Sequence, residues 1–180
     1  NDAIKTQEDV KITIRYADIL GIILLGVLLS YASTKIKIPI IYQLLGKFER
    51  RQHIGEFPGK GIIFYFIGVY ISLLFFAKDI AMASIMVLAL GDAISHLYGL
   101  HYGKINHPLS KTKFLEGTIA GFIFGFIGAL VFLPWHEAFL ASLAAMIVEA
   151  IEIRVGAQQV DDNLVVPFFA GSAVWLVRMI

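Results

Sequence analysis

No cysteine occurs among the 180 residues, which excludes disulfides, thiolate metal sites and cysteine nucleophiles. Charge is scarce: only 16% of the residues are Asp, Glu, Lys or Arg, against about a quarter in ordinary soluble domains. A Walker A sequence, GxxxxGK[ST], is absent, so a P-loop is excluded. Low-complexity sequence, a convincing internal repeat and a signal-peptide cleavage pattern are missing as well. The net charge of +1 is uninformative as a total, and no nucleic-acid partner is expected. What fills the chain is apolar: 58% hydrophobic and 13% aromatic residues, with a mean hydropathy of +0.76. That composition predicts an integral membrane protein.

Six apolar spans can be read, at about Tyr16–Ser33, Gly61–Ala77, Ile80–Leu100, Phe114–Leu133, Glu137–Ile153 and Val165 to the C-terminus. Pro39 to Arg51 has the spacing of an interfacial helix, with Ile40, Ile41, Leu44, Leu45 and Phe48 on one face. The predicted fold is therefore an all-α, polytopic membrane helix bundle of about six transmembrane helices and one interfacial helix. Residues 1–180 form a single integral membrane domain in this reading.

Loop charge orients it. Lys35, Lys37, Lys47, Arg50, Arg51 and Lys60 lie between the first two spans, and Lys104, Lys111 and Lys113 between the third and fourth. The opposite connections hold Lys78 on one and no Lys or Arg in Pro134–Glu137. The positive-inside rule makes the rich loops cytoplasmic. The same side then gathers Asp92, Glu116, Glu149, Glu152, Asp161, Asp162 and Asn163. Asp92 is a carboxylate inside apolar sequence, a functional hypothesis by default. Ser95, His96 and Gly99 stand at offsets that share its helix face. Asp161–Asn163 are expected in the loop before the last span.

The run from Gly91 to Gly117, GDAISHLYGLHYGKINHPLSKTKFLEG, has the parts of a metal-bound triphosphate site. Asp92 supplies an acid for Mg2+, with Asp161 or Asp162 as partner ligand. Lys104, Lys111 and Lys113 supply ammonium groups for phosphate, and Gly99 and Gly103 permit close approach. Phosphoryl transfer asks mainly for positioning and charge neutralisation. A carboxylate such as Glu149 or Asp162 could orient or deprotonate the attacking hydroxyl, or hold the metal; sequence does not separate the two roles. Each residue has a plainer reading too. Asp92 and a lysine could pair to hold the bundle, and the lysines could serve orientation alone. Gly121 and Gly125 continue a GxxxGxxxG stripe from Gly117 that favours helix packing.

The same run resembles the nucleotide motif of the polyprenol (dolichol) kinase family, which includes phytol kinases and CTP-dependent diacylglycerol kinases. There an Asp is followed by Ala, two spaced glycines and a Lys-Lys-Thr-x-Glu-Gly ending. The matching residues are Asp92, Gly99, Gly103, Lys113, Glu116 and Gly117; Ser95, Thr112 and Phe114 depart from the pattern. FPGKG at Phe57–Gly61, with Lys60, and DNLVVP at Asp162–Pro167, with Asn163, are similar to two further family segments. The resemblance covers about residues 57–180. It implies transfer of the γ-phosphate of CTP to a polyprenol-like or related membrane lipid alcohol, with Mg2+, at the cytoplasmic face of a multi-pass protein. It also implies nucleotide contacts from Lys60, Lys104, Lys111, Lys113, Glu116, Gly117 and Asn163 and a catalytic role for Asp92, Asp162 or Glu149.

Two alternatives compete. CDP-alcohol synthases resemble the central block and also use CTP, but their C-terminal Pro-Gly-His-Gly-Gly pattern is absent. A transporter would use buried acids as a relay reaching both faces, whereas these crowd one side.

Overall fold

A computed structural model describes residues 2–35, 59–110, 112–151, 153–155 and 158–180. The expected interfacial helix Pro39–Arg51, Lys111 and Glu152 lie outside the described residues. The chain divides into two compact units, Asn1–Tyr70 and Ile71–Ile180.

In the first unit, α1 (Asp2–Lys35) begins well before its expected span, and α2 starts at Lys60 and ends at Phe75, entering the second unit. Gly59, just before α2, has a φ of 78°, which glycine adopts without strain. Tyr16 meets Tyr70 edge to face with ring centroids 6.2 Å apart. The Lys60 ammonium lies 5.5 Å from the Phe64 ring centroid.

The second unit is built from α3 (Lys78–Tyr102), α4 (Leu115–Ala129), α5 (Trp135–Ile151) and α6 (Asp162–Met179). A two-residue antiparallel ladder, Arg154–Val155 with Gln158–Gln159, joins α5 to α6. Apart from it the architecture is all-helical. α3 is not uniform: Val87–Asp92 forms a π-helical turn between two α-helical stretches. Such turns often mark functional sites.

Small residues are prominent in the core, beside larger ones such as Ile80, Leu88 and Met146. Ala81, Ala83, Ala138, Ala141, Ala145 and Ala170 are buried, while Leu97, Leu100, Ile119, Ile127, Val131 and Trp135 are more than half exposed. Contiguous exposure of so many large apolar side chains is unusual for a soluble domain; helices packed in a bilayer use small residues to approach closely. The Gly117–Gly121–Gly125 stripe of α4 faces Gly91, Ser95 and Gly99 of α3, as expected for packing. A Cβ on Gly121 would lie 2.7 Å from the Gly91 carbonyl oxygen.

Among the described residues one helix, Lys78–Tyr102, is long and apolar enough to cross a membrane; Tyr16–Ala32, Lys60–Phe75 and Leu115–Ala129 are shorter apolar helices. The expected six-span count exceeds this because apolar sequence continues past helix ends. Leu130–Leu133, for example, fall in turns after α4. A 15-residue helix reaches only about 22 Å, short of the ~30 Å hydrocarbon core.

The helices alternate in direction by chain order, so the beginnings of α3 and α5 and the end of α6 share one end of the unit. There Arg178 clasps two acids: its Nε and Nη2 donate to Glu137 at 3.0 and 2.6 Å, and Nη2 lies 2.7 Å from Asp79 Oδ2.

Candidate active site

The opposite end, where α5 stops and α6 starts, holds the candidate site. Asp161 sits just before α6 in extended backbone, and its Oδ1 accepts from the Asn163 backbone N–H at 3.2 Å. This is an N-cap, which satisfies a helix-end donor. The Asn163 side chain donates to the same oxygen at 2.8 Å. Asp162 and Asn163 thus belong to the first turn of α6, not to the loop expected from sequence. Pro167 within α6 removes the amide that would donate to the Asn163 carbonyl.

Lys113 joins three elements. Its Nζ donates to the Glu149 backbone carbonyl at 2.6 Å, lies 2.9 Å from Glu149 Oε1 and donates to Asp162 Oδ2 at 3.1 Å. Burial alone would pull this ammonium down, but the Glu149 and then the Asp162 carboxylates outweigh it and hold it above the ordinary lysine range. Glu149 is 3% exposed. Ser95 Oγ donates to its Oε1 at 3.3 Å, whereas the buried Oε2 has no hydrogen-bond partner among the described residues. A buried acceptor without a donor is costly and marks a place where a donor fits. Asp92 closes the π turn, is part-buried and feels the charges of Asp162, Glu149, Lys113 and Asp161.

The loop that delivers Lys113 is internally tied. The His107 N–H donates to the Lys113 carbonyl at 2.9 Å, and the Leu115 N–H to the Ile105 carbonyl at 2.9 Å. Ser110 Oγ accepts from the Thr112 and Lys113 N–H groups, each at 3.1 Å. Glu116 accepts from the Lys104 and Ile105 N–H groups at 3.2 and 3.1 Å, so its carboxylate holds the loop backbone.

Several expected site residues therefore have other work here. Gly99 and Gly117 pack against one another where α3 meets α4, and the Phe114 ring occupies the space a Gly103 side chain would need. The Lys104 side chain is exposed, Lys60 belongs to the first unit, and Lys111 lies outside the described residues. His96 is exposed rather than on the buried face. Gly91, Ser95 and Gly99 set that face at four-residue spacing, and His96 stands 100° beyond Ser95 by the ~3.6-residue helical repeat. Ser95 was placed on the Asp92 face from sequence without a role of its own, and His107 and Ser110 were not legible as site residues. Of the latter two, Ser110 carried a local signal, a hydroxyl three residues before Lys113 in a Pro-containing turn.

Among the described residues no three His, Asp or Glu side chains converge as a ready metal site. Asp92, Glu149, Asp161 and Asp162 nonetheless outnumber the Lys113 charge and leave an oxygen unpartnered. That donor set fits a hard divalent cation shared with phosphate oxygens, which asks for only one or two carboxylates.

No family model matches the chain, and no solved structure matches it. An uncharacterized protein of Methanocaldococcus jannaschii is 32% identical over 156 residues, covering 84% of this chain and 75% of that protein. CTP-dependent diacylglycerol kinase 1 of Schizosaccharomyces pombe is 28% identical over 131 residues, covering 66% of this chain. Phytol kinase 1, chloroplastic, of Arabidopsis thaliana is 28% identical over 134 residues, covering 65%. The matched segments amount to 60% and 43% of those two kinases.

Proposed function

This chain belongs to the family of polyprenol, phytol and CTP-dependent diacylglycerol kinases, and from that premise we propose that it transfers the γ-phosphate of CTP to the hydroxyl of a membrane lipid alcohol. The acceptor class is an isoprenoid alcohol of the polyprenol or dolichol kind, or a related lipid alcohol. One observation carries the reading: Lys113 is held between Glu149 and Asp162 while Glu149 Oε2, buried, is left without a partner.

In the reaction, the acceptor oxygen forms a bond to the γ-phosphorus as the bond to the β-phosphate oxygen breaks, and CDP leaves. The acceptor proton passes to a carboxylate. Sequence slightly prefers Asp162 for that role, through its DNLVVP segment. Lys113 engages one oxygen of each, but the geometry supports Glu149 better, because its second oxygen is buried without a hydrogen-bond partner whereas the Asp162 side chain is a quarter exposed. Lys113 balances phosphate charge. Asp92, with Asp161 or Asp162, would hold Mg2+, which when bound supplies charge neutralisation to the phosphates. Lys104, Glu116, Gly99, Gly103, Gly117 and Asn163 would serve by shaping the Lys113 loop and the helix ends beside it, while Lys60 and Lys111 carry only the nucleotide-binding role that the resemblance implies.

The protein is a multi-pass membrane protein in this reading, with the site at the cytoplasmic boundary. The small-residue core and large exposed apolar side chains support a bilayer environment, and the lysine-rich loops support the orientation. The hydroxyl must reach the phosphate without its tail leaving the bilayer, since exposing each buried CH₂ costs ~0.8 kcal/mol.

The test is purified protein with CTP labelled at the α or the γ position, Mg2+, and a panel of polyprenols, phytol-like alcohols and diacylglycerol. The γ label in lipid with release of CDP supports the kinase. The α label in lipid would make it a cytidylyltransferase, and no labelled lipid would remove the enzyme reading.

A further inference from the structure

A groove of about 240 Å³ opens between α4 and α5. Ile119 and Phe122 wall it from α4, and Leu143 and Ile147 from α5. These are one-turn neighbours on each helix, so each helix gives the groove a continuous apolar strip. The Phe122 ring is braced by Phe139 and Phe126, with centroids 5.3 and 6.4 Å away. Towards the candidate site, Ala150 and His107 line the groove. Ala150 follows Glu149 directly, and the His107 backbone N–H donates to the Lys113 carbonyl at 2.9 Å. The groove therefore runs to the level of the Lys113–Glu149 pair. His107 Nδ1 accepts from the Leu109 N–H at 3.2 Å, so in the neutral ring the hydrogen sits on Nε2 and a donor is available at this end.

We propose that this groove binds one hydrocarbon tail of the acceptor lipid and aligns its hydroxyl with Glu149. The proposal rests on the lipid-kinase reading and adds the place where the acceptor lies. The charge of the site selects this occupant over bulk phospholipid. Among the described residues carboxylates outnumber the Lys113 ammonium there, so an anionic lipid headgroup that brings no Mg2+ is repelled, whereas the CTP phosphates would enter together with Mg2+. A neutral alcohol brings one hydroxyl, a donor suited to an unpartnered buried carboxylate oxygen.

The experiment uses the full chain in lipid nanodiscs. Ile147 is 47% exposed, so Ile147→Trp fills the groove without entering the core; Ile127→Trp, on α4 outside the groove, is the control. With a long-chain acceptor, Ile147→Trp should raise the acceptor KM about tenfold, the order expected when about two methylene groups lose their burial. Its KM for CTP, and its transfer to a short soluble alcohol, should stay as in the wild type. A diazirine placed in the tail of the acceptor should crosslink to α4 and α5 at the groove walls. Excess unlabelled alcohol should compete; added phosphatidylglycerol should not. An unchanged acceptor KM, or crosslinks confined to other helices, overturns the groove while leaving an active wild type as a lipid kinase. Equal competition by phosphatidylglycerol overturns the selectivity argument and makes the groove a general lipid contact. A wild type that phosphorylates no lipid alcohol overturns the kinase reading and this assignment with it.

Discussion

Lys113 holds Glu149 twice, donating to its backbone carbonyl at 2.6 Å and standing 2.9 Å from its Oε1. One side chain thereby fixes both the end of α5 and the carboxylate it carries. Removing the lysine leaves a buried carboxylate unbalanced and, under the proposed function, would strip a phosphate partner. Lys113→Ala should weaken CTP use at least about tenfold, or 1.4 kcal/mol, and should lower the unfolding temperature in detergent. Lys113→Met combined with Glu149→Gln should recover most of that stability, because losing both charges is cheaper than stranding one. Steady-state kinetics and thermal unfolding check both arms.

The same pair has a defined pH behaviour. Its carboxylates raise the Lys113 pKa in the folded protein, so the stabilisation is fully present below the ordinary lysine pKa and is lost only as pH rises through the raised value. The difference in unfolding temperature between wild type and Lys113→Ala should stay flat from about pH 6 to 9 as far as this lysine is concerned, and shrink only at higher pH. A difference that collapses near neutrality would contradict the pairing.

Glu149→Gln and Asp162→Asn separate proton acceptance from metal binding. A variant that lacks the proton acceptor should keep Mg2+–CTP affinity and lose transfer, whereas one that lacks a metal ligand should lose both. Glu149→Gln is expected in the first class. Asp92→Asn should lose Mg2+-dependent turnover while remaining folded. Equilibrium nucleotide binding measured beside turnover decides each case.

The α3–α4 seam leaves no room at Gly121, where a Cβ would also lie 2.7 Å from Met146 Sδ and from Ser95 Cβ. Gly121→Ala should destabilise the protein by about 1–3 kcal/mol, as overpacking does. Gly103→Ala should cost at least as much, because its Cβ would meet the Gly99 carbonyl oxygen as well as the Phe114 ring, and a swing of Phe114 relieves only the second clash. Unfolding in detergent measures both.

Among the described residues the positions of α2 to α6 were legible because Lys78, Pro134 and the Asp161–Asp162 pair interrupt long apolar runs, whereas the polar start of α1 at Asp2 was not. The stripe at Gly117, Gly121 and Gly125 was legible as packing because its four-residue spacing is the helix repeat. The π turn at Val87–Asp92 was not, since a shift in backbone hydrogen bonding leaves no mark on composition. Nor was the Lys113–Glu149 contact, which joins residues 36 apart through a loop whose course depends on His107, Ser110 and Glu116. Asp161 carried a readable cap signal, an Asp just before an apolar helix, but its acidity suggested a metal ligand first. Ser95 looked like a departure from the family's alanine; its hydroxyl turns out to donate to Glu149.

Arg178, with Asp79 and Glu137, ties off the far end of the same helices with ion pairs only 2.6–2.7 Å long. Every other acid discussed for chemistry lies towards the opposite end. In a bilayer, and under the proposed function, such a layout would confine the transferred phosphate, its counter-charges and the released proton to one aqueous compartment. No elementary charge then crosses the electric field of the membrane during a turnover. The catalytic rate should be indifferent to membrane voltage, and the reaction should neither draw on an ion gradient nor dissipate one.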